Sequence, residues 1–284
     1  MKTQQTNSPW HPAPDTVICI GAGRGEALDA YFPLPVARFL LVEPSPANLP
    51  ALRRLARQDK RIEVLPYAIS GAATPPAHGM LHILNNTTFN SLQSSGQLHE
   101  LLPGLRETGM TEVALLGIEA LIEKAALPAK GDHVLMLEAL GDSAAILRRL
   151  IDSALIDHFR HVTLRASPDL LFRNDETAET CLQFLQEAGY ELRGQEDTDI
   201  CLTRYYLTQS GLIKEFRAMR ARADETDRRL AEQTAALDRA QAEIARLQSA
   251  SATELEALQA RLADMEVRAK RAEGAFKDRD VRMQ

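Results

Sequence analysis

Cysteine is scarce in this sequence, and the three cysteines present do not form a recognisable set. Cys19, Cys181 and Cys201 stand far apart, and no CxxC pair occurs. Zinc sites and disulfide frameworks need closely spaced or evenly numbered cysteines, so we expect neither. Cys19 and Cys201 lie in apolar runs, which predicts buried, reduced thiols.

Aromatic residues are also few, at 5% of the chain, so there are few rings on which bases could stack. The net charge of −6 is unevenly distributed. Residues 1–210 hold 18 basic and 25 acidic residues, whereas the remainder holds 15 and 14. Nucleic-acid binding needs a clustered positive surface. The acidic N-terminal part therefore argues against nucleic acid as a partner.

Long hydrophobic runs are missing as well. No window approaches the roughly 20 apolar residues of a membrane span. The first segment, MKTQQTNSPWHPAP, lacks the apolar stretch of a signal peptide. We therefore expect a cytoplasmic protein without a membrane span.

The last third of the chain lacks proline and β-type runs, and after Gly211 glycine recurs only at Gly274. Apolar or small residues instead follow a 4–3 spacing from Phe216 to Leu247. After two steps of four through Ser251, the pattern resumes at Leu255. Such a pattern is typical of a coiled coil, and the double step is a stutter. We expect residues 211–284 to self-associate or to bind a protein partner. A single solvated helix and a helix folded back on the domain are the alternatives.

The N-terminal residues 1–14 are polar and proline-containing, which predicts a flexible arm. Residues 15–210 alternate β-branched runs with helical patterns, which predicts a mostly parallel sheet flanked by helices. The predicted strands are 16–20, 39–42, 62–67, 80–84, 112–116, 133–137, 161–165, 191–194 and 200–206. The predicted helices are 25–31, 46–58, 98–108, 118–126, 143–156 and 176–189, with loops at 71–79 and 85–97. Because the chain stops at Gln284 without a helix stop signal, we expect the rod to be part of a longer one.

The most specific local signal is the glycine loop in VICIGAGRGEAL, residues 17–28. Gly21, Gly23 and Gly25 follow a β-rich run, as needed where a chain turns tightly and a ligand approaches its backbone. The second strand ends about twenty residues later in Glu43, a place where a carboxylate can accept hydrogen bonds from both ribose hydroxyls. The GxGxG spacing, without the phosphate-type GxGxxG, favours S-adenosylmethionine over a dinucleotide.

Several stretches resemble the successive motifs of the FkbM-type methyltransferases. They are VICIGAGRGE (17–26), LVEPSPANL (41–49), VLPYAIS (64–70), NSL (90–92) and VLMLEALGDSAAIL (134–147). The stretch EAGYELRGQEDTDICLTRYY is similar to the end of that domain, so the resemblance covers residues 15–207. It implies the Rossmann-like class I methyltransferase fold and methyl transfer from S-adenosylmethionine to an oxygen, often on glycans or natural products.

Carried over position by position, the resemblance and the glycine loop together predict six cofactor-binding residues: Gly21, Ala22, Gly23, Gly25, Glu43 and Ser70. Asn48 follows Glu43 in the next helix, and Ser91 is expected near the pocket. Glu138 and Asp142 are the predicted catalytic acids.

The sequence also departs from the family pattern. Cys19 stands where the family has an acid, and Gly23 where it has asparagine. In the family's KIDVEGAE segment, Met136 replaces lysine, Glu138 replaces aspartate, and Leu140 and Ser143 replace two glutamates. The next strand carries Arg165 and Ala166 in place of a further acid. Groups that position a nucleophile or accept its proton lose that role when replaced by Met or Leu. Two interpretations remain: a diverged enzyme, or a scaffold that kept the fold and works through its rod.

A metal site is not expected. His78 and His82 have the spacing of two ligands on one helical turn, but they follow Pro75 and Pro76 and flank a β-type run. No serine stands in a GxSxG elbow, so covalent catalysis by that route is not expected either. Arg53, Arg54 and Arg57 are predicted to form a solvated helix face, with an anion site as the alternative.

Overall fold

A computed structural model describes residues 13–29, 31–128, 131–199 and 201–281. The predicted arm lies almost wholly outside these residues, as do Ile200 and the last three positions. The chain divides into two compact units, residues 1–214 and 215–284.

In the described part of the globular unit, ten strands form two sheets. They are β1 (Thr16–Ile20), β2 (Arg38–Val42), β3 (Ile62–Leu65), β4 (Ala68–Ser70), β5 (His78–Leu84), β6 (Glu107–Gly117), β7 (His133–Leu137), β8 (Phe159–Ala166), β9 (Tyr190–Asp199) and β10 (Leu202–Gln209). The main sheet has the order β3-β2-β1-β7-β8-β10-β9. Strands β3, β2, β1, β7 and β8 run parallel, whereas β10 is antiparallel to both β8 and β9. This confirms the predicted Rossmann-like class I methyltransferase fold.

Helices cover both faces of the main sheet. The helices of the globular unit are α1 (Leu49–Gln58), α2 (Leu98–Leu101), α3 (Ile118–Ala125), α4 (Ser143–Asp152) and α5 (Ala178–Glu187). Alternate residues of β1 enter different cores: Ile18 and Ile20 pack with α3, α4 and α5, while Val17 and Cys19 pack with α1. All five residues of β1 are buried. Such uninterrupted apolar strands are typical of parallel sheets covered on both sides.

A second, three-stranded sheet has the order β4-β6-β5. Here the predicted helix at 98–108 begins at the right residue but is too long, because α2 ends at Leu101 and β6 begins at Glu107. Pro103 and Gly104 follow the helix in the sequence, and both disfavour its continuation. The predicted loop at 71–79 is also too long at its end, since β5 begins at His78.

The second unit belongs to a single helix, α6 (Gly211–Val281), of 71 residues. At 1.5 Å per residue it is roughly 100 Å long. Large apolar side chains recur along its seam, and each is more than half exposed in the single chain: Leu230, Leu237, Ile244, Leu247, Leu255, Leu258, Leu262 and Met265. The helix therefore has the form that a coiled coil requires. Among the described residues, none of the helices combines the length and apolarity of a membrane span.

Candidate functional site

A cavity of about 570 Å³ lies at the carboxyl ends of the parallel strands. Strand order reverses at β1 and β7, and ligands of open α/β sheets bind at such a switch point. The wall of the cavity includes the glycine loop, the end of β2, the turn after β7 and part of β9 and β10. Its lining residues include Gly21, Ala22, Gly23, Arg24, Glu26, Glu43, Asn48, Ile69, Thr87, Asn90, Ser91, Glu138, Leu140, Asp142, Arg165, Glu196, Thr198 and Arg204. The volume is within the range of small-molecule pockets.

The glycine loop has a left-handed backbone at all three glycines, and at Gly21 and Gly25 there is also no room for a side chain. Gly21, Gly23 and Gly25 have φ values of 82°, 57° and 103°. A Cβ on Gly21 would lie 2.8 Å from the backbone carbon of Glu138, so the loop rests directly on the turn after β7. Gly25 is absent from the cavity wall, and a Cβ there would meet the side chain of Leu55 at 2.8 Å. Position 25 therefore needs glycine because the loop packs closely against α1 here.

The helix predicted at 25–31 is wrong in its described part, where only a 3-10 turn at Glu26–Leu28 forms. Tyr31 and the preceding turn pack against the sheet. A turn of three residues offers no helix N-terminus for a pyrophosphate. The geometry therefore agrees with a nucleoside ligand without a pyrophosphate, as the GxGxG spacing indicates.

Glu43 is 4% exposed and lies at the end of β2. Its Oε2 accepts a hydrogen bond from the backbone N–H of Gly23 at 2.7 Å. Its Oε1 accepts from the backbone N–H of Ser45 at 2.9 Å and from Nδ2 of Asn48 at 3.2 Å. Burial raises the pKa of Glu43 above its ordinary value, although these three hydrogen bonds act to lower it.

A carboxylate offers about four acceptor positions, and the contacts of Glu43 use three of them. One position on Oε2 is left for a ligand. The contact of Glu43 with a ribose stays a prediction, and this position on Oε2 is available for it. The residue fits a cofactor while also fixing the glycine loop.

The predicted residues Ser70 and Ser91 lie in different surroundings. Ser70 ends β4 and is not part of the cavity wall; its Oγ accepts from the backbone N–H of Ala72 at 3.1 Å. Ser91 does line the cavity, and its Oγ donates to the carbonyl of Leu140 at 2.8 Å. Ser91 therefore positions the turn after β7.

Glu138 follows β7 directly and is bound by an arginine from β10. Nε of Arg204 donates to Oε1 at 3.0 Å and Nη2 donates to Oε2 at 3.2 Å. Nη1 of Arg165 lies 3.8 Å from Oε2. Charge-assisted bidentate pairs of this kind are strong. The Glu138 carboxylate lies in the cavity wall and is bound by Arg204. A proton on this carboxylate would weaken the ion pair.

The family's other charged positions are occupied by packing residues. Met136 is fully buried within β7. Leu140 is 5% exposed in an apolar cluster with Phe89 and Phe172. Oγ of Ser143 donates to the carbonyl of Ala139 at 2.9 Å. None of these three side chains supplies a charge to the cavity.

Cys19 replaces the family's acid before the glycine loop. It is fully buried beside Met136, and burial raises the pKa of its thiol well above the usual range. All three cysteines are buried, which confirms the predicted burial of Cys19 and Cys201. A neutral, inaccessible thiol is not a nucleophile.

Asp142 lines the cavity at the start of α4. Its Oδ1 accepts from Nε2 of Gln93 at 3.0 Å. Burial is the main cause that raises its pKa to about 6. Burial, together with the nearby charge of Asp142, also raises the pKa of Asp175 to about 6. A carboxyl group with a pKa near 6 can exchange protons close to neutral pH.

Sequence reasoning missed Arg204, Gln93 and Asp175. Arg204 lies in the stretch TRYY of β10. Its place in the site depends on the pairing of β10 with β8, in which Arg204 is opposite Arg165, and such long-range pairing cannot be read from a local pattern. Gln93 and Asp175 come from loops, where no periodicity exists. Only the acid at Glu138 could have signalled a cationic partner, since buried carboxylates need one.

The remaining candidates take no part in the cavity. Nδ1 of His82 lies 3.0 Å from Oε2 of Glu107, and His78 is exposed. Within the described ranges, no group of three His, Cys, Asp or Glu side chains could hold a metal. Arg53, Arg54 and Arg57 are exposed on α1, which confirms the predicted solvated face.

Comparison with models of known families and with curated proteins gives no match. Among solved structures, the chain is similar to fibrillarin of Aeropyrum pernix with bound S-adenosyl-L-methionine, at 12% identity and a TM-score of 0.39, over 68% of this chain and 66% of that one. A putative RNA methyltransferase of Pyrococcus horikoshii matches at 10% identity and 0.37, over 70% and 74%. A mitomycin 7-O-methyltransferase matches at 14% and 0.36, over 69% and 49%. With TM-scores this low, the fold assignment rests on the strand order and directions given above.

Proposed function

We propose that the globular unit binds S-adenosylmethionine and, as an FkbM-like methyltransferase, transfers its methyl group to a glycan or another hydroxyl compound. The observation that carries the proposal is the open cavity between the glycine loop, Glu43 and the turn after β7. Side chains do not fill the place where a nucleoside would lie. We further propose a cytoplasmic location.

In this proposal the cavity wall holds the cofactor at several points. Gly21, Ala22 and Gly23 offer close backbone approach to its methionine part. Glu43 accepts one ribose hydroxyl through the free position on Oε2. Bound S-adenosylmethionine supplies a methyl group on a positively charged sulfur.

Asp142 is the acid best placed to act on the acceptor. A hydroxyl oxygen becomes nucleophilic as its proton leaves, and a carboxylate with a pKa of about 6 is a suitable base near neutral pH. The acceptor oxygen then forms the new bond to the methyl carbon, while the carbon–sulfur bond breaks and its electron pair stays on sulfur. Gln93 orients the Asp142 carboxylate through Oδ1.

Calorimetric titration with S-adenosylmethionine tests the proposal. We expect saturable heat and a rise in thermal midpoint, both lost in Glu43→Ala and both kept in Glu63→Gln, a partly exposed strand position. Asp142→Asn should keep binding, since Asp142 acts on the acceptor. Absence of heat and of any thermal shift at millimolar cofactor would refute cofactor binding.

A second candidate function is a scaffold whose globular unit no longer catalyses. The Glu138–Arg204 ion pair and the buried Leu140 favour it, because Arg204 engages the one acid that is kept and Leu140 stands where the resembled family has a glutamate. This version predicts that methyl transfer is absent for every hydroxyl acceptor even where the cofactor binds. Release of S-adenosylhomocysteine in the presence of an acceptor library would contradict it.

For both versions we propose that α6 mediates self-association. The seam of large apolar residues is more than half exposed in a single chain, and such a surface is stabilised by burial against another helix. Deleting residues 211–284 should convert the oligomer to a monomer in light scattering. A monomeric full-length chain would contradict this part.

A further inference from the structure

The exposed seam of α6 is suited to packing against a partner helix but leaves the partner's identity and direction open. Charges beside the seam carry more information, because residues at the e and g heptad positions set the partner and orientation of a coiled coil. Phe216, Leu230, Leu237 and Ile244 take a positions, and Met219 and Leu247 take d positions, up to the stutter. After it, Leu255 and Leu262 take a positions, and Leu258 and Met265 take d positions.

In a parallel, in-register pair, each g residue faces the e residue five positions later in the other helix. Three charged pairs arise between positions 215 and 266, and each joins opposite signs: Glu215 with Arg220, Arg222 with Asp227, and Arg261 with Glu266. Twofold symmetry doubles each pair. From position 215 to position 268 no g–e pair joins like charges.

Among the other charged g residues, Arg229 and Glu243 have neutral e partners and form ion pairs within their own helix. Arg229, which would face Thr234, binds Glu225 with Nη2 2.7 Å from Oε1. Glu243, which would face Gln248, lies 3.1 Å from Nε of Arg246. Apart from Glu254, whose e partner Gln259 is neutral, the charged g residues from 215 to 268 are therefore matched either within the helix or across a parallel pair.

An antiparallel pair places g residues opposite g residues. In the register that overlaps the whole helix, Arg222 faces Arg268 and Arg229 faces Arg261. Like charges at such positions are unfavourable. This register offers one attractive pair, Glu266 with Arg220, against these two repulsive ones.

The stutter gives an independent reason for the same arrangement. It changes the local winding near Ser251, and two helices stay in contact only where both change their winding at the same level. A parallel, in-register pair brings the two stutters together. An antiparallel pair that overlaps the whole helix places each stutter opposite regular heptads.

We propose that the partner of α6 is a second copy of the same chain, aligned parallel and in register. The inference rests on the proposed self-association and adds its direction. Both globular units of the dimer are then attached to the same end of the rod.

Cysteine cross-linking tests the direction. Leu237→Cys and Leu262→Cys are each at an a position, where the two copies of a parallel pair approach within disulfide range. We expect both single variants to form covalent dimers under mild oxidation, on denaturing gels run without reductant. Ala242→Cys and Ala260→Cys, on the opposite f face, are the matched controls and should stay uncross-linked. The wild type controls for the three native thiols, which are buried.

The outcomes separate direction from association. An antiparallel dimer brings at most one level of the helix into contact with itself, so it can cross-link only one of the two seam variants, or only their mixture. Either result overturns the parallel arrangement while keeping self-association. A monomeric mass in light scattering, with no cross-link in any variant, overturns both.

Charge reversal gives a second test that does not alter the apolar seam. Arg261→Glu should raise the dimer dissociation constant by about threefold to tenfold, as expected for two lost ion pairs and two repulsive ones. Adding Glu266→Arg should restore it. Ala260→Glu, one residue away on the outer face, should leave it unchanged. A double variant no better than Arg261→Glu would contradict the proposed pairing.

Discussion

The backbone N–H of Gly23 donates to Oε2 of Glu43 at 2.7 Å, and this bond joins the glycine loop to the end of the second strand. The sequence signal of the nucleoside site consists of the same two elements, twenty residues apart. Glu43 therefore has a structural task in the absence of any ligand, and its effects on loop order and on ligand affinity are coupled.

Glu43→Gln should lower both stability and cofactor affinity. An amide keeps one acceptor oxygen and places an NH₂ group against at least one of the three donors that face the carboxylate. Loss of hydrogen bonds to a charged group predicts a destabilisation of about 1–3 kcal/mol. Urea unfolding measures it, with Glu63→Gln as the partly exposed control. Retention of full stability together with full cofactor affinity would show that the loop does not depend on Glu43.

Replacing one partner of the Glu138–Arg204 pair should lower the free energy of unfolding more than replacing both partners together. Both side chains are mostly buried, with side-chain exposures of 4% and 14%. Glu138→Leu or Arg204→Met alone leaves one buried charge without its partner, which predicts a loss of roughly 2–4 kcal/mol. The double variant should lose clearly less than the sum of the two. Additive losses in denaturant unfolding would contradict the coupling.

The exposed pair of Arg148 with Glu176 provides the matched comparison. Its side chains are 53% and 32% exposed, and surface pairs contribute at most about 1 kcal/mol. Glu176→Gln should therefore change the free energy of unfolding very little, while the Glu138 and Arg204 variants change it strongly.

The fold was predictable because it depends on local patterns. The buried β1 and β7 appear as short, mostly apolar runs in the sequence. Gly21 must be glycine because a Cβ there would meet the backbone of the turn at Glu138. The site was less predictable because it depends on contacts over long sequence distances. Glu138 reads as a free catalytic acid until Arg204, 66 residues away, is found to bind it.

The predicted helix at 98–108 is too long because of tertiary packing. Its apolar spacing is real, but the apolar side chains of Leu98 and Leu105 enter a small cluster with Phe89 and Phe172. Tertiary packing therefore overrides the helical pattern, and Thr108 joins a strand.

Asp142→Asn should change stability in a pH-dependent manner. The pKa of Asp142 is raised to about 6 in the folded protein, from an ordinary value of 3.8. Between these values the folded state binds more protons than the unfolded state, so this group lowers stability as pH rises from about 4 to 6. The asparagine variant lacks this loss and should be more stable than the wild type at pH 7, by on the order of 1 kcal/mol. At pH 4 the difference should be smaller.

Asp152→Asn, an exposed position at the end of the same helix, is the control and should show no such trend. If the enzyme interpretation holds, methyl transfer should also rise with pH up to about 6 and then level off, because the base must be ionised. Activity that persists in Asp142→Asn with the same pH profile would remove Asp142 from the mechanism.

Deleting residues 250–253 should stabilise the rod although it shortens it. The deletion removes the four residues that create the stutter, so that Leu255 follows Leu247 at the regular spacing and Ser251 leaves the seam. We expect the thermal midpoint of helix loss in α6, followed by circular dichroism at fixed chain concentration, to rise by about 4 °C or more, which corresponds to roughly 1 kcal/mol. Deleting the seven residues 234–240 is the control, because it removes one heptad without changing the register and should lower the midpoint. If the four-residue deletion lowered the midpoint as much as the heptad deletion, the seam would not be continuous through this region, and the stutter would be a required feature of the pairing.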